Sequence, residues 1–384
     1  MKKINKFYLL LLLVSILLVT LKAEVNSPGN KTRSFNVKKG GKLVVNIIAG
    51  NIHVNTWQKD VLRVTVKGND KEDNLKALTI SQNKNTINIQ SSSYEKGVDL
   101  EISVPSEFNI NINTFGGNLL VKGNLTGKIK AKTSGGNIKI DKVKGNVNLI
   151  TAGGDIKTKA INGNVELNSA GGNFKVGYIS GTANISTAGG NIFLAGVKSK
   201  LNLSTAGGNI RVESVEDDVT ISTGGGNVSV GGVGKNVDIS TGGGNVQIDG
   251  AKGSVKVSTG AGNISVGDAN GWATLSTGSG NVSLALSSVG NNDTNVRTGT
   301  GNITLYLTSD ADAIVTAVVK LNKWMMENND KKEWITSDFP ATTYNIVNVR
   351  GDDEIIAVYR LNNGENKIFL KASSGKIEIL KLKK

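Results

Sequence analysis

Two residues after a recurring asparagine, the chain places Lys139, Lys157, Lys175, Phe193 and Arg211, then Ser229, Gln247, Ser265 and Ser283. Cations repeated at one phase of a periodic sequence are suited to holding a linear polyanion. A column of lysines with few acids beside it is costly without a counter-anion, because like charges on neighbouring strands repel. Lys139, Lys157, Lys175 and Arg211 are therefore the candidate binding strip for an anionic cell-envelope polysaccharide or lipopolysaccharide. The competing reading is a solvated charged face that aids solubility. Extracellular DNA would also satisfy the charge, but the lysines have no interleaved aromatics for base stacking, so no specific nucleic-acid partner is expected.

Other chemistry is harder to assemble. Asp141, Glu213 and Asp249 share the phase four residues after the asparagine but recur on nonadjacent units, so no adjacent carboxylate pair arises for glycoside hydrolysis. The single histidine, His53, stands in an alternating segment and reads as an outward polar residue of a strand. Calcium requires about six or more oxygen ligands, whereas the glycine-rich turns offer neutral Asn, Ser and Thr with Asp155 alone. No phosphate-loop lysine follows the glycines. No catalytic residue, metal ligand or cofactor is assigned. A column of Ser186, Ser204, Ser222, Ser240, Ser258 and Ser276 suggests an ice-binding face, but its neighbours Asn184, Asn202, Thr220, Asp238, Lys256 and Thr274 spoil a pure hydroxyl array.

The elements that position these residues follow from the spacing. The asparagine of a GGN motif falls at 118, 137, 173, 191, 209, 227, 245, 263, 281 and 302, with Asp155 in the remaining slot. From Asn137 to Asn281 every step along this series is the same length. Apolar residues follow at one, three and six positions, as in Ile210, Val212 and Val215, and alternate again in the second half, as in Val219 and Ile221. Period-two alternation marks strands with one buried face. Two strands and two turns in a unit of about 18 residues describe one coil of a parallel β-solenoid, right-handed by the usual preference of parallel crossovers. Glycine allows positive φ at the corners. The amides of Asn137, Asn173, Asn191, Asn209, Asn227, Asn245, Asn263 and Asn281 can stack into a turn ladder. An amphipathic helix array fails, since a glycine pair in every unit would break it.

Around this core, four segments are expected: a signal peptide at 1–23, an N-terminal β-rich cap or start of the solenoid at 24–115, regular coils at 116–307, and a C-terminal β-rich cap at 308–384. Lys2, Lys3 and Lys6 precede an apolar run that ends near Val19, and cleavage after Ala23 fits a secretory signal. No further membrane span is expected after cleavage, and the chain is read as exported to the periplasm, cell surface or medium. With 0 cysteines, neither a lipid anchor nor a disulfide framework is available. The net charge of +14 is local: residues 116–190 carry 10 basic and 3 acidic side chains, whereas 191–307 carry 7 and 8. Open strand edges must be blocked at both ends, and Trp324, Trp334, Phe339 and Tyr344 are expected to pack over one of them.

The segments "GKLVVNIIAGNIHV", "VDLEISVPSEFNININTFGGN" and "FLKASSGKIEIL", together with the GGN-I-x-V rungs, resemble the putative adhesin family. This is a bacterial domain of unknown function related to the GIN-type head domains of autotransporter adhesins. The resemblance runs from about Phe35 to Leu382 and implies an envelope or surface β-solenoid with an adhesive role. It brings no catalytic residues to carry over. The regular repeat is stricter than in many such proteins, so the number of coils is expected to be particular to this chain. The sequence thus reads as a non-enzymatic adhesin-like or scaffold module making multivalent contacts along its faces. Self-association into a filament is the alternative, and a glycan-active enzyme comes third.

Overall fold

The constant period of the sequence becomes a stacking register. In the computed structural model Ile192 lies beside Ile210, Ile210 beside Val228, Val228 beside Val246 and Val246 beside Ile264, all in parallel strands. The structure describes residues 24–25, 30–67, 78–91, 97–290, 292–321, 334–349 and 352–382, and those in regular elements form strands throughout. The leader assigned to 1–23, and Trp324, lie outside the described residues. Each coil sends its first strand into one sheet and its second into another. The apolar residues at alternate positions meet between the sheets as one continuous core, with Leu194, Val230, Ile239 and Leu284 fully buried. Neighbouring coils are about 4.8 Å apart, so each buried side chain contacts its own kind above and below.

The coil is less simple than two straight strands. Where Ile138–Lys144 runs unbroken, the next coil splits into Ile156–Thr158 and Ile161–Asn162, both paired with it. The first half of the coil therefore bends. The inward residues one and three places after the asparagine lie before the bend, and the inward residue six places after lies beyond it.

Corners are held by two hydrogen-bond ladders. Asn245 donates its backbone N–H to Asn227 Oδ1 (2.9 Å), Asn263 to Asn245 (2.8 Å), and so on along the axis. The amides act mainly as acceptors for the next coil's backbone rather than by bonding amide to amide, which explains Asp155. A carboxylate accepts as well as a carboxamide, and Asn173 N–H donates to Asp155 Oδ1 at 2.8 Å. The ladder extends beyond the GGN repeats, from Asp99 through Asn51 and Asn118 to Lys376, whose N–H donates to Asn302 Oδ1. The second ladder is formed by buried threonines. Thr151 donates its hydroxyl to Gly136 O of the preceding coil (2.9 Å) and accepts the Gly154 N–H of its own turn (3.2 Å).

Some corners use glycine for positive φ, as at Gly145 (+146°) and Gly163 (+157°), but the central coils also require it for a second reason. At Gly226 no positive φ is involved; a Cβ there would overlap the carbonyl oxygen of Gly208 in the coil below. The preceding Gly225 faces open space. Ala261, Ser279 and Thr300 take the equivalent place in later coils, where the second glycine turns to positive φ, +150° at Gly262, +151° at Gly280 and +141° at Gly301, as Gly117 also does nearer the N-terminal end (+123°).

At both ends the order of coils departs from the order of the chain. Gly41–Ala49 and Ile52–Trp57 form the first coil in sequence, yet they lie between two later ones. Thr86–Ser91 and Asp99–Pro105 stack outside them, and Phe108–Gly116 and Leu119–Thr126 stack inside. The C-terminal end mirrors this. Asn366–Ala372 pairs with Thr294–Thr300 on one side and Ala313–Leu321 on the other, while Ile377–Lys381 lies between Ile303–Leu307 and Ile335–Ser337. Antiparallel strands then crown the outermost coils, including Val61–Lys67, Leu78–Asn83 and Asp352–Leu361. Trp334 and Phe339 are buried there and Tyr344 packs against the core.

Candidate binding face

Parallel stacking brings residues one period apart into direct neighbourhood, so the candidate strip is a real column. Lys139 pairs in register with Lys157, Lys157 with Lys175, Lys175 with Phe193, and Phe193 with Arg211. All four cations are exposed, because alternate residues of these strands point outward. Among the described residues, Lys139, Lys157 and Lys175 form no salt bridge. Arg211 does: its Nε donates to Glu213 Oε1 at 2.8 Å on the same strand, which raises its pKa.

The face is also broader than the strip. Lys122 on the neighbouring strand and Lys159 at the bend after Thr158 flank it, and Lys142 and Lys144 follow on the outer side beyond the bend. Two acids lie close to these seven lysines among the described residues: Asp155, at the corner before Lys157, which accepts the Asn173 N–H, and Asp141. Asp141 accepts from Lys159 Nζ (3.0 Å) and from the Gly123 N–H (3.3 Å). Burial works against its charged form. The hydrogen bonds from Lys159 and Gly123 and the nearby charges of Lys159 and Lys139 outweigh burial and hold the carboxyl below its ordinary range. Both local acids are thus already engaged. Three lysines at rung spacing remain without a salt bridge among the described residues, each adjacent pair repelling by roughly 0.5–1 kcal/mol in salted water.

The wider face was within reach of the sequence, since Lys122 and Lys159 recur at the phase of Asp141. Less legible was Tyr178, 43% exposed, which lies three residues beyond Lys175 on the same strand and donates its hydroxyl to Glu216 Oε1 (3.2 Å), two coils away. The remaining shared-phase carboxylates are separated. Glu213 is taken by Arg211, and Asp249 accepts from Gln247 Nε2 (3.1 Å). His53 faces outward beside Glu101 and Leu120, as an alternating strand requires. On the other sheet, a second groove of about 740 Å³ runs past Lys128, Lys130, Asn146, Asn164 and Glu166. There Glu166 Oε2 accepts from Asn148 Nδ2 (2.6 Å), an arrangement that the sequence reading missed.

These features define an all-β parallel solenoid with capped ends and one basic face. Residues 41–217 match the family described as Toastrack DUF4097. The match covers the N-terminal cap and the first coils; the same register then continues past it, Leu201–Thr205 pairing with Val219–Thr223. No match is found among curated proteins. Among solved structures, the chain is similar to a putative adhesin from Bacteroides fragilis NCTC 9343, at 19% identity over 67% of this chain and 97% of that one, with a TM-score of 0.30. It is also similar to a putative adhesin from Parabacteroides merdae ATCC 43184 (12% identity, 66% and 95% covered, TM-score 0.27). A putative lipid binding protein from Parabacteroides distasonis ATCC 8503 shares 14% identity over 92% and 97% of the two chains, with a TM-score of 0.21.

Proposed function

We propose that the protein is an exported, non-enzymatic β-solenoid of the cell envelope or surface that adheres to anionic polymer through its basic face. The observation that carries this reading is the register of Lys139, Lys157 and Lys175: one uncompensated cation per coil, in line, on a rigid support. A flexible chain would relieve such repulsion by moving apart, whereas a solenoid holds the charges in place until a counter-anion neutralises them. Single contacts of this kind are weak. Their repetition on one ligand raises the avidity without any strong individual site. The resemblance of the sequence to adhesin-type domains agrees with such a role.

The test is a binding array of acidic polysaccharides and lipopolysaccharide, read for the intact chain and for a variant carrying Lys139→Glu, Lys157→Glu and Lys175→Glu. Binding should vanish in the variant and weaken steeply by about 0.5 M salt, because exposed charge contacts are screened within a few ångströms there. Binding that survives both changes would overturn the proposal.

A further inference from the structure

Past Lys175 the outward column changes character, to Phe193, Arg211, Ser229, Gln247 and Ser265, and becomes one wall of an axial groove of about 860 Å³. The opposite wall is the asparagine ladder from Asn173 to Asn263. Ladder side chains are not free to turn, because each Oδ1 is held by the backbone N–H of the next coil. Asn209, Asn227, Asn245 and Asn263 are all held this way, at 2.8–3.0 Å. Fixing the oxygen fixes the amide nitrogen as well. Asn173 and Asn191 turn theirs to the preceding coil. Among the described residues, the nitrogens of the other four donate to nothing in the chain, leaving one oriented donor per coil at about 4.8 Å intervals.

We propose that the lysine strip and this groove form one continuous track for a linear acidic polysaccharide lying along the solenoid axis. Acid groups of the polymer rest on Lys139, Lys157, Lys175 and Arg211, a sugar ring lies on Phe193, and hydroxyls accept from the ladder amides. This inference rests on the strip being an anion-binding surface, and adds the chemistry of the ligand. A saccharide is the polymer that uses every part of the track: it combines acid groups, an apolar ring face and many hydroxyls, and one sugar unit is close in length to one coil. A polyphosphate can accept from the amides but has no apolar ring face to place on a phenyl ring. Single-stranded nucleic acid needs a succession of stacking rings, and this track has one. Arg211 fits the same scheme, since its Nε is occupied by Glu213 while its terminal nitrogens remain for a carboxylate.

The experiment measures binding of the full chain to polygalacturonate, which carries a carboxylate on every sugar, to polyphosphate and to oligo-dT at matched charge. Phe193→Ala should weaken polygalacturonate binding about tenfold and leave polyphosphate binding within about twofold, with Phe193→Tyr restoring the first. Phe193 is on the outer face, and a thermal melt confirms that each variant is folded. Equal loss for all polymers, no loss for any, or binding of polyphosphate alone overturns the inference while the strip stands. Tighter, Phe193-dependent binding of oligo-dT overturns it in favour of nucleic acid. Should charge reversal of the three lysines change nothing, or no polymer bind, the anion-binding reading itself fails and this inference with it.

Discussion

At the scale of single residues, the positions that look interchangeable in the repeat do distinct work. Asn227 holds the corner by accepting the Asn245 N–H, so the requirement is for an oxygen at that point rather than for an amide. Asp155 meets the same requirement earlier in the ladder. Asn227→Ala should therefore lower stability by about 1 kcal/mol, the ordinary net worth of such a bond, whereas Asn227→Asp should stay within about 0.5 kcal/mol of the parent. Urea titrations of the two variants decide this. Equal losses would mean that the carboxamide nitrogen, not the ladder oxygen, matters for folding. The buried threonines follow the same logic. Thr151 fills the volume of a valine but serves two backbone groups of the turn, which a valine would leave unpaired.

At the scale of elements, internal coils are alike and terminal ones are not. Any regular coil has a like neighbour on each side, so the stability of the array is approximately a sum of nearest-neighbour terms. Excising residues 219–236, one full period, should join Asp218 to Val237 in the existing register and leave a shorter folded solenoid. Removing residues 366–384 should behave differently, although it takes away the same number of strands. Those strands bury Ile368, Leu370, Ile377 and Ile379 between two other coils. Each such side chain contributes roughly 1.5–3 kcal/mol by burial, and their loss opens a gap instead of shortening a stack. Circular dichroism and light scattering should show a folded excision variant and an aggregating truncation. Two equally folded products would show that the outer coil can close directly onto the regular array. Because the terminal segments 41–57 and 366–381 each lie beneath a segment nearer the middle of the chain, neither end can peel away coil by coil.

At the scale of the whole molecule, charge is organised along the rod. Residues 116–190 carry 10 basic against 3 acidic side chains, while acids are placed in later coils, where several are tied to the backbone or to lysines. Asp217 is held below its ordinary pKa chiefly by Lys235, and Asp218 and Asp312 chiefly by the backbone N–H groups of Asn236 and Glu365. A carboxyl depressed in the folded state contributes stability above its unfolded pKa and loses it as pH falls through the folded value. With unfolded aspartates near 3.9, the melting temperature should be level from neutral pH to about pH 4.5 and fall below about pH 4. Thermal melts across that range test it. A decline already between pH 7 and pH 5 would show that these carboxyls do not set the acid limit.

Much of this molecule was written in its spacing. Alternation of Ile210, Val212 and Ile221 with polar residues, at a constant period, is enough to require parallel stacked coils, because no other arrangement buries every such residue at once. The same period places Lys139, Lys157 and Lys175 in one line. What spacing could not decide was anything set by contacts between segments far apart in the chain. The swapped order of the terminal coils depends on which edges are left to cover, and the segments concerned lack the strict period. The reason for Gly226 lies in the coil below it, and the availability of the lysines depends on Asp141 having turned to Lys159. Local pattern determines a repeating unit wherever each unit meets only copies of itself; at the ends and on the outer face the neighbours differ, and there the tertiary structure decides.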